Sequence, residues 1–166
     1  MIIKLRIGHW RITFTFAQVT DVIGVNSKLP NGNHILMWDF DNTPLEDVKL
    51  ALKLVQIQFN LPNIYILRTS PPDNYIAYCF DNCLWSIARA IIGSTNFIDE
   101  NFYKWGIFRR RFTLRVGKKA GVLPKLVHVL HSTVEETATI EELRSWVKYE
   151  TLDAHHNQTV HRVEFP

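Results

Sequence analysis

Ile35-Leu36-Met37-Trp38-Asp39-Phe40-Asp41-Asn42 begins as an apolar run and ends in two carboxylates at positions i and i+2. The run is short enough for a buried strand. Side chains alternate along a strand, so Asp39 and Asp41 share one face while Trp38 and Phe40 take the other. Two like charges at that spacing repel unless water or a cation lies between them. The pair is therefore a candidate divalent-metal site. Two solvated aspartates at a strand-to-turn junction are the plainer alternative, because Asp is a common turn former.

The sequence on the C-terminal side sets the fold class. Thr43, Pro44 and Glu46 predict a capped helix start, with Thr43 as N-cap and Glu46 completing a capping box. Leu45, Val48, Leu52, Val55 and Phe59 form one apolar stripe, and Asn60-Leu61-Pro62 ends the helix. Ile64 to Arg68 reads as a second buried strand. Strand, helix and strand with short joints imply a right-handed crossover, so both strands finish at one sheet edge and Thr69-Ser70 comes close to the acids. After the turn at Pro71 to Asn74, Tyr75 to Phe80 should run back antiparallel. Asp81 or Asn82 then caps a helix bearing Leu84, Ile87, Ala88 and Ile91, closed by Gly93. A short helical segment reaches Gly106, and Arg111 to Val116 alternates as a fourth strand. The expectation is an α+β fold: a split β-α-β (RRM/palm-like) sheet with additional N- and C-terminal strands and helices mainly on one face.

On the N-terminal side, residues 2–7 and 10–17 read as two strands joined at Gly8-His9, followed by a loop from Asn26 to Asn33. Beyond the fourth strand come a strand at Leu126 to Leu130, a helix from Thr139 with Glu142 in its capping box, and a terminal strand at Val160 to Phe165. The five tryptophans sit mostly at apolar-periodic positions and read as core. With 166 residues, one domain spanning 1–166 is expected, its palm-like core at about 34–130.

Composition narrows the function classes. Apolar residues at 46% and charged residues at 21% suit a soluble globular chain, and no apolar run approaches a membrane span. Two cysteines make no disulfide framework, which suggests a cytoplasmic, intracellular setting. Cys79 and Cys83 read as buried thiols rather than zinc ligands, and His155, His156 and His161 as solvated side chains. Net charge is only +3, but its distribution is uneven. No acid lies between Asn101 and Val134, where Lys104, Arg109, Arg110, Arg111, Arg115, Lys118, Lys119 and Lys125 fall. Such a region offers a positive surface to an anion. Trp105 and Phe108, beside the basic run, are candidates for stacking a base.

A two-aspartate strand on a split sheet matches the layout of a polymerase palm, whose ions bridge nucleotide phosphates and the attacking hydroxyl. Asp99, in Phe97-Ile98-Asp99, is the natural third carboxylate; the competing reading is helix capping. The ordered set Trp38-Asp39-Phe40-Asp41, Thr69 to Tyr78, Ile98-Asp99 and Arg111 to Lys119 resembles the archaeo-eukaryotic primase superfamily. It is most similar to plasmid- and virus-type replication primases and primase-polymerases, over roughly Ile35 to Leu130. The resemblance implies a nucleotidyltransferase using Mg²⁺ or Mn²⁺, with Asp39, Asp41 and Asp99 as catalytic metal ligands. It further implies nucleotide contacts from Ser70, Arg115 and Lys118, and nucleic-acid contacts from Arg109, Arg110, Arg111 and Lys119. Nucleoside triphosphates and a single-stranded DNA template are the implied partners, a helicase or replication initiator a further one. Ile76 stands where many members have His, and it can neither donate nor accept a hydrogen bond. That departure sustains an alternative, a non-catalytic nucleic-acid-binding module on the same sheet. A third reading, a haloacid-dehalogenase-type phosphatase with Asp39 as nucleophile, lacks the later paired acids and an all-parallel sheet.

Overall fold

The computed structural model describes residues 2–15, 19–70, 72–119, 121–143, 146–152 and 160–162. In chain order the strands and helices are β1 (Ile2–Ile7), β2 (Trp10–Thr15), β3 (Val19–Asn26), β4 (His34–Phe40), α1 (Leu45–Gln58), β5 (Ile64–Ser70), β6 (Asn74–Cys83), α2 (Trp85–Gly93), α3 (Glu100–Arg109), β7 (Thr113–Arg115), β8 (Lys125–Leu130), β9 (Trp146–Leu152) and β10 (Val160–Arg162). The fold is mixed α and β. Among the described residues no helix is long and apolar enough to cross a membrane.

Two compact units are formed, one from 1–21 with 149–166 and the other from 22–148. In the smaller unit β1 and β2 make an antiparallel hairpin, and β10 runs parallel to β1. Gly8 supplies the left-handed backbone (φ 57°) that the Gly8-His9 turn needs. Residues 16–17 and 163–165 of the predicted outer strands lie outside the described residues, as do His155 and His156.

The larger unit is built on a four-stranded sheet in the order β4-β6-β5-β8. β4 and β5 are each antiparallel to β6, so they are parallel to one another with β6 between them. Cross-strand partners share a face. One face therefore carries Trp38, Ala77 and Ile66 in one row and Phe40, Tyr75 and Arg68 in the next. Trp38 and Phe40 are fully buried, and the Trp38 indole N–H donates to Thr95 Oγ1 at 2.8 Å, just beyond α2. The opposite face carries Met37, Tyr78 and Tyr65, then Asp39, Ile76 and Leu67. Val48, Ala51, Leu52 and Val55 of α1 add to the same core.

Several local expectations change. Arg111 to Val116 does not supply the fourth strand of this sheet. Its extended part is only Thr113–Arg115, which pairs antiparallel with β3 (Gly24 opposite Arg115, Asn26 opposite Thr113) in a separate sheet ordered β7-β3-β9. The fourth position goes to β8, which pairs antiparallel with β5. Thr43 is not the N-cap of α1: Pro44 is, and the Thr43 hydroxyl donates to the Asp41 carbonyl at 3.1 Å. A proline N-cap has no side-chain acceptor, so Glu46 pairs with Lys49 instead of completing a capping box. Asp81 and Asn82 extend β6 rather than cap α2, and both meet the Thr137 hydroxyl. The predicted helix from Thr139 is a single 3-10 turn at Ile140–Glu142, although the Thr139 N–H does reach Glu142 Oε2 at 2.7 Å. Trp38 is core as expected, but Trp10 is 80% and Trp105 55% exposed.

Candidate functional site

Asp39 is the last polar side chain within β4, and Asp41 follows at the exposed turn. Asn42 adopts a left-handed backbone (φ 51°), a conformation Asn tolerates, and turns the chain directly after Asp41. Its N–H donates to Asn74 Oδ1 at 3.1 Å, while Asn74 Nδ2 donates to Ser70 Oγ at 3.2 Å. The Thr43 N–H also donates to the Asp73 carbonyl. These bonds tie the end of β4 to the β5–β6 turn, so Ser70 lies at the same sheet edge as the acids.

Asp99 reaches this edge from far along the chain. Its backbone N–H donates to the Asp39 carbonyl at 2.8 Å. Its carboxylate also caps α3, Oδ1 accepting from the Phe102 N–H at 2.6 Å. Asp99 is thus a helix cap whose backbone is also bonded to the end of β4. One oxygen is committed to the cap.

The electrostatics follow from this crowding. Burial, then the charges of Asp41 and Asp99, push the Asp39 carboxyl up to about 7, against the opposing pull of Arg115 and Lys119. The Asp41 carboxyl is also raised, first by desolvation and then by Asp99, with Lys119 again opposing. Excess negative charge on the open face, partly offset by two cations, suits an additional positive ion. Asp39 and Asp41 have the oxygen-donor chemistry Mg²⁺ or Mn²⁺ prefers. Among the described residues, however, no three His, Cys, Asp or Glu side chains are grouped closely enough to hold an ion as they stand.

Arg115 acts partly as a strut. Its Nη1 donates to the Val122 carbonyl at 3.1 Å and its Nη2 to the Thr69 carbonyl at the end of β5. The position directly across from Asp39 in the β4–β6 ladder is Ile76, 2% exposed. Compared with family profiles, curated protein sequences and solved structures, the chain has no match.

Asp39, Asp41, Asp99, Arg115 and Lys119 act on one another electrostatically at the one end of this face that opens to solvent. Of the two exposed lysines Lys118 and Lys119, it is Lys119 whose charge lowers the Asp39 and Asp41 carboxyls against their upward shifts. Arg109, Arg110 and Arg111 lie at the far end of α3, whose first turn Asp99 caps. Asn74 was not foreseen as the link between the two turns; the Asn that follows Pro-Pro-Asp was the available signal. Farther along the open face, Tyr65, Leu67, Tyr78, Phe80, Leu126 and Ile140 help to line a cavity of about 600 Å³. Cys79 and Cys83 are buried and free, and desolvation pushes the Cys83 thiol up to about 12. The Cys83 thiol donates to the His34 carbonyl, a core role.

Proposed function

We propose that the chain is a metal-dependent nucleotidyltransferase of the primase-polymerase type, working on a split β-α-β, palm-like sheet with a nucleic-acid template. The observation that carries the proposal is the convergence of three carboxylates from two distant segments with Arg115 and Lys119 at one open sheet end. The strand order β4-β6-β5, with α1 joining the outer two, supports the architectural part of the reading. Asp39 and Asp41 would hold Mg²⁺ or Mn²⁺, with the second oxygen of Asp99 as a further donor. An ion held by these residues would supply charge neutralisation for phosphates and for a deprotonating hydroxyl.

The chain's own groups have separable tasks. Lys119, which has no carboxylate within ion-pair distance among the described residues, supplies positive charge for a triphosphate. Arg115 holds the β5 end and the 119–122 turn in place through its two carbonyl contacts, and adds its own charge. Ser70, anchored by Asn74, presents its hydroxyl at the same edge.

Ile76 favours a second reading, a nucleic-acid-binding replication module without turnover, because the side chain opposite Asp39 offers a nucleotide no hydrogen bond. The antiparallel β6 between β4 and β5 argues against the phosphatase reading. Template-directed incorporation with Mn²⁺, measured for wild type, Asp39→Asn and Asp41→Asn, separates the readings. Loss of incorporation by at least about 100-fold in both variants, with single-strand binding retained, is expected. Equal incorporation in all three proteins would overturn the assignment, whereas strand binding with no incorporation even by wild type would leave only the binding module.

A further inference from the structure

α3 has two unlike faces. Phe102, Tyr103 and Gly106 turn inward to Phe112, and Gly106 is needed there because a Cβ would stand 2.3 Å from the Phe112 ring. Asn101, Lys104, Trp105 and Phe108 recur at helical spacing on the outside, and all four are exposed. Phe108 is 79% exposed, a large apolar surface to leave in water. The two outer rings meet edge to face at 5.8 Å, and the Arg109 guanidinium lies 5.1 Å from the Trp105 ring centre. Arg110 then takes a left-handed backbone (φ 54°), ending the helix so that Arg110 and Arg111 leave its axis.

The charge here is uncompensated. Lys104 pairs with Glu100 at 2.6 Å, but among the described residues Arg109, Arg110 and Arg111 have no carboxylate within ion-pair distance. Protein interfaces also favour aromatic residues and Arg, so what sets this face apart is the run of three cations with no carboxylate partner among the described residues. Here three cations border the two rings, which matches a polymer whose phosphates alternate with flat apolar bases. Bases paired within a duplex cannot reach such rings, so the complement is a single strand.

We propose that the outer face and C-terminal end of α3 form a platform for single-stranded nucleic acid, with Trp105 and Phe108 stacking bases and Arg109, Arg110 and Arg111 holding phosphates. The platform stands independently of catalysis. Its orientation toward the acids rests on the reading above: Trp105 and Phe108 lie about 9 and 14 Å along α3 from Asp99, so a stacked strand laid along the helix would place about three to four nucleotides between platform and carboxylates.

The test is fluorescence anisotropy of a labelled thymidine oligonucleotide, about 12 nucleotides long, with the full chain. Trp105→Ala and Phe108→Ala are each expected to weaken binding about 10-fold. Arg109→Gln, Arg110→Gln and Arg111→Gln together should make the slope of log affinity against log salt shallower by about 2. Both ring residues are exposed, so folding is not at stake, and circular dichroism verifies that. Unchanged affinity in the two ring variants would overturn the platform, as would equally tight binding of a duplex of the same length. Asp39→Asn distinguishes this failure from failure of the catalytic reading: it should lose incorporation and keep oligonucleotide binding, and loss of binding there would move the strand site away from α3.

Discussion

The two faces of the β4-β6-β5-β8 sheet use the same strands for opposite purposes. On one, Trp38, Phe40, Ala77 and Ile66 are entirely buried, and the one polar group among them, the Trp38 indole N–H, is matched to Thr95. On the other, the row beginning with Asp39 continues through Ile76 and Leu67 toward an apolar cavity. A single step along β4, from Trp38 to Asp39, changes a packed environment into a chemical one. The other face is also buried at Met37, Ile76 and Tyr78 and opens only at its end, where it holds a carboxyl that burial and its neighbours disfavour as an anion.

The largest effect should come from the sealed face. Trp38→Ala removes a fully buried ring and its hydrogen bond, and should cost about 3–5 kcal/mol, read from the urea midpoint. A loss of under about 1 kcal/mol would show that this face is not the one carrying the fold. The open face should give a pH-dependent result. The Asp39 carboxyl keeps its proton up to about 7 in the folded chain, against 3.8 for an ordinary aspartate. The associated stability is complete below about pH 4 and is lost as pH rises through 7, on the order of 2–4 kcal/mol. Asp39→Asn should therefore match wild type at low pH and exceed it at pH 8 in the absence of divalent ions. Parallel stability curves for the two proteins would contradict the assignment of strain to this carboxyl. Tyr65→Phe should have the smallest effect. Its hydroxyl donates to the exposed Glu136 at 2.7 Å, so a change within about 0.5 kcal/mol is expected, and a larger loss in thermal unfolding would mean that this hydrogen bond is not an exposed one in solution.

The legible parts of this chain were those in which local pattern and tertiary demand agree. The apolar run into Asp39 became β4, the stripe at Val48, Leu52 and Val55 became the buried side of α1, and Gly8 turned the first hairpin. β3 was missed because Asp21, Gly24 and Asn26 interrupt its alternation, and its pairing with β7 arises from a segment some ninety residues away. The cap of α1 was misplaced by one residue: the helix starts at Leu45, so Pro44 holds the cap position and the Thr43 hydroxyl donates to the Asp41 carbonyl one residue too early to cap. At the site, the Asp39–Asp41 pair could be read from spacing alone, and the Ile98-Asp99 step marked a third acid. That Asp99 also caps α3 and donates its N–H to Asp39 could not be separated from the alternative reading without coordinates.

By itself, the sequence determined which strand runs into the two acids, that a helix follows them, and that an acid-free basic stretch lies downstream. Those features depend on neighbours within a few residues, where backbone geometry sets which side chains share a face. Tertiary structure alone decided that β8 rather than the 111–116 segment completes the sheet, that Ile76 sits across from Asp39, and that Lys119 stands beside the acids. Each of these is a pairing between distant segments, selected by competition for a sheet edge or a buried charge, and such competition leaves no local periodicity to read.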